Sequence, residues 1–125
     1  MLNLFAVATG GAIGALLRHF IVKFCTVGAF PTGVLVANFI GCFALGVIVE
    51  ILALKTNLSE PVRLFLTVGL LGALTTFSTF ILELVLLNSQ NNIKLALVYL
   101  ALSIFGGLAL MLLGMQSVKY LLKFI

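Results

Sequence analysis

The chain has 125 residues, of which 63% are hydrophobic and 8% charged, with a formal net charge of +4. Soluble domains are near half apolar and a quarter charged, so a soluble fold would have no way to hide this much apolar surface. The basic residues Arg18, Lys23, Lys55, Arg63, Lys94, Lys119 and Lys123 are scattered singly, without a cluster or an aromatic-interleaved stripe. They read as flanks of membrane spans and do not support nucleic acid as a partner.

Crossing the hydrocarbon takes roughly 20 apolar residues per helix, and four spans take about 80. What remains is enough for short connections and too little for a soluble catalytic domain. The expected architecture is therefore one all-α integral membrane domain with lipid as its solvent. The first apolar segment covers residues 2–24 and contains Gly10, Gly11, Gly14 and Arg18. It lacks the basic n-region of a secretory leader and is longer than an h-region, so it reads as a retained helix. A turn over residues 26–32 carries Gly28 and Pro31, and the second segment covers 32–54, ending at Lys55-Thr56-Asn57. Ser59-Glu60-Pro61 reads as a helix start, with Ser59 at the N-cap and Pro61 in the first turn. The third segment covers 61–87, a polar loop follows at Asn88-Ser89-Gln90-Asn91-Asn92, and the fourth covers 93–122.

With four spans, the termini and the middle loop share one side, which holds Lys55, Arg63, Lys119 and Lys123. The opposite side has Lys23 and Lys94, plus Arg18 if it reaches the interface. So small a bias under the positive-inside rule permits insertion both ways, and with it an antiparallel dimer; a single orientation stays open as the alternative.

Two features of the apolar segments are unusual. Asn38 lies near the centre of the second span, where an unmatched amide costs several kcal/mol. It either ties helices together or lines a polar path, where its NH2 group can donate to an anion. The third span carries Gly69-Leu-Leu-Gly72-Ala-Leu-Thr75-Thr76-Phe77-Ser78-Thr79-Phe80. Two glycines followed by this polar and aromatic run predict an interrupted helix, tolerated at such depth only where protein buries it or a cavity faces it. Carbonyls freed at a break are ligands for a hard cation such as sodium. Phe77 and Phe80 share a face if the helix resumes there, either as a packing pair or with positive ring edges offered to an anion.

Other polar residues limit the choices. Glu50 and Glu60 lie near span ends, and Glu83 alone among the acids lies well inside one. The first span has no central carboxylate of the kind a small drug/proton antiporter needs. Arg18 either snorkels or holds positive potential at the mouth of an anion path. Tyr99 and Ser103, four apart on the fourth span, either extend a donor track or bond neighbouring helices. Cys25 and Cys42 show no metal-ligand spacing and read as small apolar residues. His19 is the single histidine and aspartate is absent. No nucleophile set or phosphate loop can be assembled, so an enzyme is not expected.

These residues resemble the fluoride channel family called Fluc, or CrcB. The similarity extends over nearly the whole chain. It rests on Gly10-Gly11-Ala-Ile-Gly14-Ala-Leu-Leu-Arg18, on Gly33-Val-Leu-Val-Ala-Asn38-Phe-Ile-Gly41, and on the third-span stretch above followed by Glu83. The resemblance implies a dual-topology antiparallel homodimer with two fluoride pores in the bacterial inner membrane, giving passive fluoride efflux that lowers cytoplasmic fluoride toxicity. It implies that Phe77 and Phe80 line the pores, with Ser78 and Thr79 beside them, and that Asn38 contacts the ion. It also implies a structural sodium at the dimer interface on backbone carbonyls of Gly72 and Thr75. Arg18, Glu83, Tyr99 and Ser103 match the family's arginine, glutamate and fourth-helix polar track. Val34 stands where the family usually has threonine, and Gly107 where a further track hydroxyl often occurs. The competing expectations are a small dual-topology multidrug transporter, disfavoured by the missing carboxylate, and a non-transporting scaffold, disfavoured by the polar third span.

Overall fold

The computed structural model describes residues 1–54 and 58–123 and is all-helical apart from short connections. The end of the second segment at Lys55-Thr56-Asn57 lies outside the described residues. Among the described residues, four helical spans are long and apolar enough to cross a membrane: Leu2–Cys25, Thr32–Ala53, Glu60–Ser89 and Ile93–Leu122. The first span is helix α1 (Leu2–Cys25) and the second is α2 (Thr32–Ala53). The third is built from α3 (Glu60–Leu64), a π-helical segment Phe65–Leu71, α4 (Gly72–Leu74) and α5 (Phe77–Ser89). The fourth joins α6 (Ile93–Ala101), a second π-helical segment Leu102–Gly106 and α7 (Gly107–Leu122).

Local chemistry explains the boundaries. Gly28 takes a positive φ of 70° in the turn after α1, where a Cβ would be strained. The Thr32 hydroxyl closes that turn by accepting from Val27 N at 3.2 Å and donating to the Cys25 carbonyl. Ser59 is at the N-cap of α3 with a proline in the first turn, but its side chain makes no capping bond. Both π-helical segments were invisible to periodicity. A π-turn adds one residue to the helical repeat, which rotates every side chain beyond it.

Packing relies on close backbone approach, because lipid supplies little hydrophobic drive between helices. A Cβ on Gly10 would lie 2.5 Å from the Phe65 carbonyl, and one on Gly69 would lie 2.8 Å from the Val7 carbonyl, so α1 and the first π-helical segment touch backbone to backbone. Gly46 and Gly114 serve the same end between α2 and α7, against the Met111 and Phe43 carbonyls. The buried cluster is small: Val34 and Leu35 of α2, Phe80 and Leu87 of α5, and Ala96 and Tyr99 of α6. Most other large apolar side chains face outward, Leu4, Phe24 and Phe105 among them. So continuous an exposed apolar surface belongs in a bilayer. At one end of α2, the buried Glu50 carboxylate is 3.7 Å from Lys119 Nζ of α7.

Candidate functional site

The third span breaks where its sequence changes character. α4 ends at Leu74, and Thr75 (φ −84°, ψ 152°) and Thr76 (φ −149°, ψ 121°) are extended before α5 restarts at Phe77. Such a break exposes backbone groups that hydrocarbon cannot satisfy, and Asn38 answers it. Its Oδ1 accepts from Thr76 N at 2.8 Å, and its Nδ2 donates to Thr76 O at 3.2 Å. The amide thus reproduces a backbone partner for Thr76, tying α2 to the break. One of the two Nδ2 hydrogens is used there, which leaves the other to donate elsewhere.

Hydroxyls complete the joint. Thr75 Oγ1 donates back to the Leu71 carbonyl at 2.9 Å. The buried Thr76 Oγ1 accepts from Thr79 N at 3.3 Å, capping α5, and lies 3.1 Å from Thr79 Oγ1 and 3.4 Å from Ser78 Oγ. The consequence for the carbonyls is specific. An unbroken helix would satisfy Gly72 O with Thr76 N–H and Thr75 O with Thr79 N–H. Asn38 has taken the first donor and the Thr76 hydroxyl the second. The two carbonyls singled out from the resemblance are among those that lose their helical donors at the break.

A cavity of about 360 Å³ opens on this joint. Asn38, Gly41, Cys42 and Leu45 line it from α2, and Thr67, Leu71, Gly72, Thr75, Thr76, Phe77 and Phe80 from the third span. Ser103 and Ile104 line it from the second π-helical segment. The surface is mostly apolar, with an amide, hydroxyls, a thiol and two phenyl rings among its features. Among the described residues, no charged side chain lines it. Phe77 is 75% exposed and Phe80 6%, with ring centroids 5.8 Å apart and planes tilted by 45°. Phe80 packs on Tyr99 at 5.3 Å, and Tyr99 and Phe30 form a T-shaped pair at 5.7 Å.

The residues singled out from the sequence fall into three groups. Asn38, Phe77, Phe80, Ser103, Gly72 and Thr75 meet at the cavity. Ser78 and Thr79 join the hydroxyl cluster around Thr76, next to it. Glu83 and Tyr99 lie behind Phe80, where the Tyr99 hydroxyl donates to Glu83 Oε2 at 2.6 Å. Arg18 is half-buried on α1, one turn past Gly14, and does not line the cavity. Among the described residues, the Ser103 hydroxyl is the one buried side-chain polar atom without a partner. Sequence reasoning passed over Cys42 and Thr76 as site residues. The signal for Cys42 was its spacing of four from Asn38, which puts both on one face of α2; Thr76 stood inside the motif, but its role as the hub needed the backbone break.

An all-helical membrane protein with a mid-span break clamped by an amide over an uncharged cavity belongs to the class that handles ions within the bilayer. The family described as CrcB-like protein, Camphor Resistance (CrcB), matches residues 5–115, and the chain belongs to that family. It is 42% identical to the fluoride-specific ion channel FluC of Chloroflexus aurantiacus over 91% of this chain and 93% of that protein. It is 40% identical to fluoride-specific ion channel FluC 2 of Carboxydothermus hydrogenoformans over 98% and 91%, and 37% identical to FluC of Rhizobium etli over 97% and 99%.

Proposed function

We propose that the protein is a fluoride-specific ion channel of the bacterial cell membrane, crossing it four times and lowering cytoplasmic fluoride by passive efflux. The observation that carries this reading is the uncharged cavity at the break, where an amide, hydroxyls and phenylalanine edges converge. Fluoride is small and strongly hydrated. A fixed positive charge in a narrow path would hold it too tightly, since conduction needs entry and exit to balance. Neutral donors and ring edges replace its water in weak, separable steps. The spare Nδ2 hydrogen of Asn38, the Ser103 hydroxyl and the Phe77 and Phe80 edges are the donors assigned to it. Ser78 and Thr79 extend the hydroxyl surface next to the rings, and Glu83 orients Tyr99 behind Phe80. Arg18 supplies positive potential near the approach. No covalent chemistry is involved, and the protein is a channel rather than an enzyme.

The functional unit in this reading is a dual-topology antiparallel homodimer. The weak charge bias between the two sides supports it, as does the exposure of Phe77 beside the cavity. The Gly72 and Thr75 carbonyls, released from their helical donors, are hard oxygen ligands suited to sodium. Two such oxygens from one chain are too few for a cation, and a second copy across a two-fold axis supplies two more. These carbonyls would hold the ion as a structural element of the dimer, and its charge would offset the negative ends of the broken helices.

Purified protein in liposomes tests the reading, with efflux followed by a fluoride-selective electrode. Fluoride leaves without any proton gradient, and chloride does not. Replacing sodium with N-methylglucamine throughout slows the flux if the carbonyl site is structural. Sealed vesicles, or organic cation uptake coupled to protons, refute the channel.

A further inference from the structure

Cys42 sits one turn beyond Asn38 on the cavity-facing side of α2. Facing it, Ser103 and Gly107 are likewise one turn apart on the fourth span. A Cβ built on Gly107 has the Cys42 sulfur as its nearest neighbour, at 3.4 Å. The thiol therefore packs against the bare backbone at Gly107, beside the space that a side chain at that position would take. Ser103, on the same cavity, has a buried hydroxyl with no partner among the described residues. A buried hydroxyl without a partner calls for an explanation, and a bound ion or water is one that the shared cavity favours. Asn38, Ser103 and Cys42 all line this cavity, and Cys42 stands one helical turn beyond Asn38 on α2.

We propose that the Cys42 thiol is a further ion-contacting donor, giving the anion a step beyond Asn38 in place of a side chain at Gly107. This rests on the fluoride-pathway reading above. A neutral thiol is a weak donor and carries no charge, which suits an ion that must be released. Its S–H would point along the cavity toward the ion, and a serine hydroxyl there would do the same more strongly.

The test uses full-length protein in liposomes, in a Cys25→Ser background so that Cys42 is the remaining thiol. Cys42→Ala is expected to slow fluoride efflux by about three- to tenfold, the worth of one neutral hydrogen bond, while Cys42→Ser retains the rate. Adding Gly107→Ser to Cys42→Ala returns a hydroxyl beside the vacated space and restores flux, which a packing role for sulfur would not do. Methyl methanethiosulfonate provides a second arm on protein already folded. The Cys42 thiolate, its proton lost to buffer, takes the methylthio group as a mixed disulfide and releases methanesulfinate. Flux falls, and dithiothreitol restores it by reducing that disulfide. Unchanged flux in Cys42→Ala, failure of Cys42 to label, or full flux after complete labelling overturns the assignment while the pathway stands. If the unsubstituted protein passes no fluoride, the pathway reading falls and this assignment with it.

Discussion

Replacing Asn38 with leucine isolates the clamp on the break. Leucine shares the branched heavy-atom skeleton of asparagine and suits a membrane helix, so it removes the amide's hydrogen bonding while keeping the side chain's shape, with bulkier methyl groups in place of the amide. The loss is the pair of bonds to Thr76, at 2.8 Å from its N–H and 3.2 Å to its carbonyl. Thr76 is 9% exposed, so water cannot replace the missing partner. A buried backbone group without a partner costs about 1–3 kcal/mol, and two cost about 2–6 kcal/mol. Part of that is recovered if Thr76 relaxes toward a helical bond with Gly72, but this closes the break and turns Phe77 away from the cavity. Asn38→Leu is therefore expected to lower the SDS concentration at which the purified protein unfolds and to stop fluoride efflux. Asn38→Asp keeps the acceptor for Thr76 N–H while setting an oxygen against the Thr76 carbonyl, and falls between the two. A leucine variant with the original unfolding midpoint and efflux rate would refute the clamp.

The two phenylalanines separate structure from conduction. Phe77→Ala removes a ring that is exposed in the single chain and is expected to lower the unfolding midpoint less than Phe80→Ala does, while efflux drops sharply. Phe80→Ala also abolishes or severely slows flux and, by emptying a site packed on Tyr99, costs about 3–5 kcal/mol as well. Normal throughput in either variant removes the ring-edge role, whatever its stability. Gly14→Ala drives a methyl into the Leu70 carbonyl, whereas a Cβ on Gly11 meets nothing within 4 Å. The first lowers the SDS midpoint; the second leaves it equal or raises it, with a stability gain of up to about 1 kcal/mol from the helix propensity of alanine over glycine. Equal behaviour of the two would contradict the α1 contact with the first π-helical segment.

Much of the fold was legible because composition and length admit few solutions: so apolar a chain of this size has room for four spans and little else. The interruption was legible too, since hydroxyl, glycine and phenylalanine cluster where an ordinary span would be aliphatic. Asn38 was read as either a tie between helices or a lining of the path, and the structure shows why these need not exclude each other. One amide hydrogen serves Thr76 and another is left over. The π-helical segments at Phe65–Leu71 and Leu102–Gly106 left no trace in the sequence, because an extra residue in a turn alters phase without altering composition. The burial of the Ser103 hydroxyl without a partner was equally hidden, because it depends on which neighbours pack against that helix. The Glu50–Lys119 pair was also missed: their elements are far apart in sequence, and only the parallel packing of α2 on α7 joins them.

The central claim is that fluoride crosses alone, handed between uncharged donors at the break. Current across a planar bilayer containing the pure protein tests this most directly, with a tenfold fluoride gradient, symmetrical chloride and a variable pH difference. The account predicts a reversal potential at the fluoride equilibrium value, about 59 mV at 25 °C for one monovalent ion, unmoved by chloride or pH. A reversal potential that follows the proton gradient, or no current at all, would contradict it.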